Sequence, residues 1–230
     1  GEYESFPDRT DINNLDFEYF RTLTNVIGNG SQNMQDLASF YQYTDNDYAY
    51  ENQTVTFIDN HDVPRFLRVN SDQRSLDVAL ALTLTSRGIP NIYYGTEQYV
   101  NGHDGSENGG RVFMQTDTSF SQTTRAYKII QKLSALRQQN DALAYGQTSI
   151  LYSSADVLVM SRKFYDKQVI IAVNRSPYNS YTVPTLSTSM AAGNYTDVLT
   201  GELGGSSVSV SGGQLASFQL SQQEVNVWSY

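Results

Sequence analysis

The chain has 230 residues, with 24 acidic and 15 basic side chains, a formal net charge of −9, no cysteine and two histidines. The length supports a substantial core in one large or two ordinary domains. The missing cysteines exclude a disulfide scaffold, a thiolate metal site and a cysteine nucleophile, and the acidic balance argues against a nucleic-acid partner.

No apolar run approaches the roughly 18 to 20 residues of a membrane span, so no membrane partner is expected. Gly1 opens no charged-then-apolar segment, and any export signal is expected to lie upstream or to have been removed. A low charged fraction of 17 %, with plentiful Tyr, Asn, Ser, Thr and Gln, fits a secreted, extracellular protein that handles sugars.

Residues 1 to about 139 alternate short apolar runs with helical stretches. Leu15-Asp16-Phe17 reads as a short strand. A helix over about 18–26 follows, stopped by Gly28 and Gly30, and then a second over about 34–43. Val55-Thr56-Phe57-Ile58 is an apolar strand that ends in Asp59-Asn60-His61-Asp62. Leu76, Val78, Ala79, Leu80, Leu82 and Leu84 give a helix over about 75–86 a broad apolar face. Residues 89–95 read as a further strand and 96–121 as a glycine-rich polar loop. Residues 123–138 read as an amphipathic helix with Tyr127, Ile129, Ile130, Leu133 and Leu136 on one side. This order predicts an α/β architecture with a parallel sheet covered on both faces and right-handed crossovers. A doubly wound sheet and a (β/α)8 barrel both satisfy it.

From 140 to 230 helical patterns give way to strands, near 147–153, 156–164, 168–174, 180–183, 194–199, 206–210, 215–220 and 224–229. Few charges and frequent turn dipeptides predict a β-sandwich. The expected division is 1–139 and 140–230.

Chemistry concentrates at Asp59-Asn60-His61-Asp62, where an apolar strand delivers two carboxylates, an amide and an imidazole at the end where parallel α/β folds place active sites. The plain structural alternative is that Asp59 or Asp62 caps the next turn. By residue type alone Glu2, in Gly1-Glu2-Tyr3-Glu4, is a solvated terminus. The long loop carries Asn101, His103, Asp104, Glu107, Asn108 and Arg111, and it reads equally as a binding loop or an insertion. His103 with Asp104 or Glu107 has no specific metal-ligand spacing. Tyr93-Tyr94 can stack on a sugar or pack in the core, while Trp228 is expected in the sandwich core.

Residues 57–66, Phe-Ile-Asp-Asn-His-Asp-Val-Pro-Arg-Phe, resemble the strand-seven motif of the α-amylase family of retaining glycosidases. Residues 85–99, Thr-Ser-Arg-Gly-Ile-Pro-Asn-Ile-Tyr-Tyr-Gly-Thr-Glu-Gln-Tyr, resemble its strand eight as used by cyclodextrin glucanotransferases and maltogenic amylases. Gly1-Glu2-Tyr3 is similar to the end of strand five, and Leu15-Asp16-Phe17 to strand six. Residues 144–230, with Asn194-Tyr195-Thr196-Asp197-Val198-Leu199 and the closing Val227-Trp228-Ser229-Tyr230, resemble the sandwich that follows the barrel. The resemblance covers nearly the whole chain. It implies the C-terminal portion of a (β/α)8 barrel, about strands five to eight, followed by an all-β Greek-key sandwich domain.

It also implies a mechanism with a carboxylate nucleophile and a carboxylic acid/base. By resemblance Glu2 is the acid/base, its pKa raised so that it protonates the leaving oxygen. Asp62 is the third carboxylate, stabilising the oxocarbenium-like sugar. His61 hydrogen-bonds the same sugar, with Asn60 beside it. Asp104 and Arg111 resemble a pair that binds a more distant glucose, although they lie further apart than in the family. The family nucleophile ends strand four, which would precede Gly1 together with strands one to three and the calcium-binding region. The resemblance thus implies a longer or two-chain enzyme, with the missing barrel half as partner and an α-glucan or maltooligosaccharide as substrate. It implies calcium in the complete enzyme, no metal or cofactor held by this chain, and no glycosidase activity from these residues alone. Glu4 stands where cyclising transferases carry an aromatic residue, and the stretch from Glu2 to Asp16 is shorter than theirs; both favour hydrolysis of α-1,4-glucosidic bonds. The alternatives are a glucanotransferase and a non-catalytic carbohydrate-binding fragment.

Overall fold

The computed structural model describes residues 14–48, 50–104, 106 and 108–230. Glu2 and Glu4 therefore lie outside the described residues, as does Glu107. The first half begins with Leu15, which forms a parallel bridge to Val55 of β1 (Val55–Thr56), and β1 pairs in parallel with β2 (Ile89–Pro90). Between Leu15 and β1 run α1 (Phe17–Leu23), extended by a π-helical turn over Thr24–Gly28, and α2 (Met34–Asp47). Between β1 and β2 lie α3 (Phe66–Val69) and α4 (Gln73–Thr85). After β2 come the short α5 (Met114–Asp117), α6 (Arg125–Gln139) and α7 (Asp141–Tyr145).

Each longer helix starts where a side chain satisfies its free backbone donors. Asp16 accepts from Tyr19 N at 2.8 Å, Asn33 and Asp36 form a reciprocal capping box, Asp72 caps α4, and Thr124 caps α6. Phe17, expected as the end of a strand, is instead the first residue of α1, because the Asp16 cap already turns the chain there. The strand ladders are shorter than the apolar runs. Residues 57–58 and 91–95 continue past the paired residues without a ladder partner among the described residues.

The second half is all β. One antiparallel sheet has the order β12–β5–β4–β3, from β3 (Gln147–Ser153), β4 (Val157–Phe164), β5 (Lys167–Asn174) and β12 (Val225–Ser229). A second sheet is formed by β7 (Leu186–Ser187), β8 (Gly193–Tyr195), β9 (Val208–Ser211) and β10 (Gln214–Leu215), in the order β7–β10–β9–β8. β6 (Tyr181–Val183) pairs with β11 (Phe218–Leu220). The expected strand over 215–220 is thus split between β10 and β11, and that over 194–199 stops at Tyr195, before the turn that Asp197 organises.

Alternation of side chains across the first sheet explains why β4 and β5 are apolar on both faces. Leu158 and Met160, with Val169, Ile171 and Val173, join the core packed against the helices, where Leu37, Leu80 and Leu133 lie. Val157 and Val159, with Ile170 and Ala172, face the second sheet and Trp228. Trp228 is fully buried, as expected, edge-on to Phe218 at 4.9 Å, and its indole N–H donates to Ser206 O at 2.8 Å.

Arg162 and Arg175 fasten the two halves, and Arg87 ties the first half together. Arg162 of β4 donates to Asn52 Oδ1 at 2.8 Å and to Thr148 Oγ1 at 2.7 Å, and burial pushes its pKa down to about 10. Arg175 donates to Val26 O of the π-helical turn and to Gln32 O of the loop before α2, both at 2.6 Å. Arg87 lies two residues before β2. It donates to Asp16 Oδ2 and Thr54 Oγ1, and to Thr44 Oγ1 of α2, joining the strand starts to that helix.

Asp197 gives the fold a measurable pH dependence. Its Oδ1 accepts from Leu199 N at 3.1 Å and Val227 N at 2.7 Å, while its buried Oδ2 has no partner among the described residues. Burial outweighs the two backbone donors and pushes its pKa up to about 6. Between about pH 4 and pH 6 the native state holds a proton that the unfolded chain has lost, so stability falls as pH rises through that window. Asp197→Asn keeps the Oδ1 acceptor and removes the buried charge. Urea midpoints are expected to coincide with the parent's near pH 4 and to exceed them above pH 7 by about 2 kcal/mol of stability. A difference that does not change with pH would contradict the assignment.

Candidate active site

Past β1 the chain runs through Phe57 and Ile58, both buried, into Asp59, Asn60, His61 and Asp62. The structure sorts these four side chains into two layers. Asp59 lies beneath the surface. Its Oδ2 accepts from Phe66 N at 3.2 Å, at the start of α3, and its Oδ1 accepts from Thr96 Oγ1 at 3.1 Å. The Arg65 guanidinium stands 3.9 Å from Oδ2 with both groups buried. Burial nevertheless dominates and raises the Asp59 pKa. Asp59 thus does the capping work that the structural alternative assigned to this strand end.

Asn60 is also buried, and its Oδ1 accepts the backbone N–H of Asp62 at 2.7 Å, which closes a tight turn. Its Nδ2 is buried with no partner among the described residues. That turn lifts His61 and Asp62 to the surface, where their side chains are 57 % and 52 % exposed and His61 Nε2 lies 3.3 Å from Asp62 Oδ2.

The long loop returns to the same place. Arg111 Nε and Nη2 donate to His61 O at 3.3 and 3.2 Å, and Nη2 lies 3.7 Å from Asp62 Oδ1. Asn60, His61, Asp62 and Arg111 therefore form one ledge, with the Asp62 carboxylate set between an imidazole and a guanidinium. Asp104 sits elsewhere in the loop. Its Oδ1 accepts from Ser106 N at 2.8 Å and Ser106 Oγ at 2.5 Å, and these bonds lower its pKa. Among the described residues Asp104 and Arg111 form no ion pair; the basic partner of this ledge acts on Asp62 instead. His103 approaches Asp117 at 3.8 Å. Among the described residues no three His, Cys, Asp or Glu side chains come together to hold a metal ion.

Sequence reasoning singled out neither Arg65 nor Thr96. Arg65 is fully buried, with Nε donating to Gly110 O at 2.9 Å, Nη1 donating to Thr96 Oγ1 at 3.3 Å, and its guanidinium 4.0 Å from the centre of the Tyr93 ring. Tyr93 is thus occupied under a cation. The one available signal for Arg65 was its place between Val63-Pro64 and Phe66 in an otherwise apolar stretch.

A segment of parallel barrel with its polar groups gathered beyond a strand's C-terminal end, backed by an all-β domain, is the build of a barrel enzyme. Comparison with known proteins gives the family. The model of the alpha amylase catalytic domain matches residues 8–126, and that of the alpha amylase C-terminal all-beta domain matches residues 152–230. The chain belongs to the α-amylase family, as the C-terminal part of its catalytic barrel followed by its C-terminal β domain. It is 44 % identical to the cyclomaltodextrin glucanotransferase of Paenibacillus macerans, over 100 % of this chain and 32 % of that protein. It is also 44 % identical to that of Thermoanaerobacterium thermosulfurigenes, over 98 % of this chain and 31 % of that protein. The crystal structure of the gamma-CGTase from alkalophilic Bacillus clarkii superposes with a TM-score of 0.94 at 41 % identity, over 100 % of this chain and 34 % of that one. An α-amylase from Malbranchea cinnamomea, 24 % identical with a TM-score of 0.83, covers 99 % of this chain and 47 % of that one and shares the fold. The chain spans about a third of the length of the curated relatives it matches.

Proposed function

We propose that the chain forms part of an enzyme that cleaves α-1,4-glucosidic bonds in starch and related glucans with retention, by double displacement. The observation that carries this reading is the ledge itself. A half-exposed carboxylate, Asp62, is held by its own backbone at Asn60 and flanked by His61 and Arg111. Asp62 would stabilise the positive charge that develops on the sugar, and His61 would donate to a hydroxyl of the same ring. Glu2 would protonate the leaving oxygen and then activate the incoming acceptor. The nucleophilic carboxylate would come from barrel strands outside this sequence, carried by the same polypeptide or by a second one. Calcium would be held by those other segments. A secreted protein suits the substrate, since a glucan polymer is met outside the cell, and no helix among the described residues is long and apolar enough to cross a membrane.

Water as acceptor gives hydrolysis, the reading that Glu4 and the short stretch after Glu2 favour. A second reading has its own support: the relatives quoted above are named cyclomaltodextrin glucanotransferases, in which a sugar hydroxyl would take the place of water. Product analysis on maltoheptaose separates the two. Linear products released with the α-anomeric configuration support hydrolysis, and cyclic products support transfer. No turnover by the complete protein would remove both.

A further inference from the structure

We propose that Arg65 and Tyr94 are positioning residues that together aim Arg111 at the strand end bearing Asp62. The inference rests on the proposed function, because it concerns how that ledge is held. Arg111 follows Gly109-Gly110, a stretch with no side chains to fix its path. The two residues that flank Arg111 are nevertheless pinned. Arg65 Nε donates to Gly110 O at 2.9 Å on one side, and Tyr94 OH donates to Val112 O at 3.0 Å on the other. Between these points the Arg111 side chain reaches His61 O and Asp62.

The anchor of the clamp is rigid. Arg65 is fully buried, its Nη1 shared between Thr96 Oγ1 and the Asp59 carboxylate, and its guanidinium lies 4.0 Å from the Tyr93 ring centre and 5.1 Å from that of Tyr94. One planar fork thus ties the segment after β1, the segment after β2 and the long loop. A lysine carries its donors on a single nitrogen and cannot hold Gly110 O and Thr96 Oγ1 from two separate nitrogens, as Nε and Nη1 do here. Tyr94 adds a second point of hold, with Tyr93 and Tyr94 edge to face at 4.6 Å.

The test is a mutant cycle in the complete enzyme, with kcat and KM for maltoheptaose as readouts. Arg65→Lys is expected to lower kcat/KM about ten- to a hundred-fold, the range for loss of a supporting shell. Tyr94→Phe removes one hydroxyl from a side chain that is 41 % exposed, so it folds, and it is expected to cost several-fold. In an Arg111→Ala background both losses should shrink to less than about two-fold, because the clamp then has nothing to aim. A general packing defect would instead cost the same factor with or without Arg111, and that result overturns the proposal. Parental rates for both single variants overturn it too, and if Arg65→Lys does not fold, Tyr94→Phe decides alone. Asp62→Asn serves as the control: if it stays active the functional reading of the ledge fails, whereas if it is inactive and the clamp variants are unimpaired, only the positioning role fails.

Discussion

Asp62→Asn in the complete enzyme is expected to lower kcat on maltoheptaose about a thousand-fold with little change in unfolding temperature. The substitution is nearly isosteric. The backbone N–H that Asn60 holds at 2.7 Å remains, so the turn should survive. What disappears is the negative charge between His61 and Arg111. A half-exposed carboxylate in that position contributes little to the ground state, because water screens it while the site is open. When a sugar covers the ledge and water leaves, the same charge faces a developing cation at lower effective dielectric, and its worth rises. The loss should therefore appear in kcat more than in KM. Glu2→Gln is expected to be at least as damaging, and aryl glucosides with good leaving groups should recover part of its rate, since they need no proton. Retention of more than a tenth of the parental rate in Asp62→Asn would remove Asp62 from the chemistry.

The fold was legible where burial alone decides structure. The run Val55-Thr56-Phe57-Ile58 closed by polar residues marked a strand end, and the apolar faces over 75–86 and 123–138 marked α4 and α6. Burial does not report pairing, however. Val55 and Thr56 alone meet β2, so the apolar run overstates the strand, and β7 and α7, too short to show a period, were missed. The site was legible as a cluster but not as a geometry. Asp59 and Asp62 are the same residue type three positions apart, and nothing in the sequence shows that one lies under Thr96 and Arg65 while the other is half exposed. Arg111 bonds to a carbonyl 50 residues away, a contact that only the return of the loop creates. Arg65 escaped notice because an arginine is normally read as a surface residue, and here it is wholly buried.

Gly204→Ala is expected to destabilise the protein by about 3 kcal/mol or more. A Cβ built at Gly204 would collide with Asp197 Oδ2, Val225 O and Asn226 Oδ1 at once. None of the three can step aside cheaply. Asp197 Oδ1 holds two backbone N–H groups, and Val225 belongs to β12, whose ladder to β5 runs from Val225 to Ser229. Asn226 Oδ1 accepts from Gly205 N and Ser206 N while its Nδ2 donates to Glu224. Room for the methyl would have to come from breaking one of these buried polar contacts, and a buried group left unpaired costs as much as the overlap it relieves. Gly205 supplies the control. A Cβ there meets nothing within 4 Å, so Gly205→Ala should be close to neutral. Urea unfolding of the two variants beside the parent should show a large drop in midpoint for position 204 alone, with the slope unchanged. Equal midpoints for both variants would mean that the 203–206 turn relaxes freely, and the tight closure around Asp197 inferred from its buried, unpartnered oxygen would have to be abandoned with it.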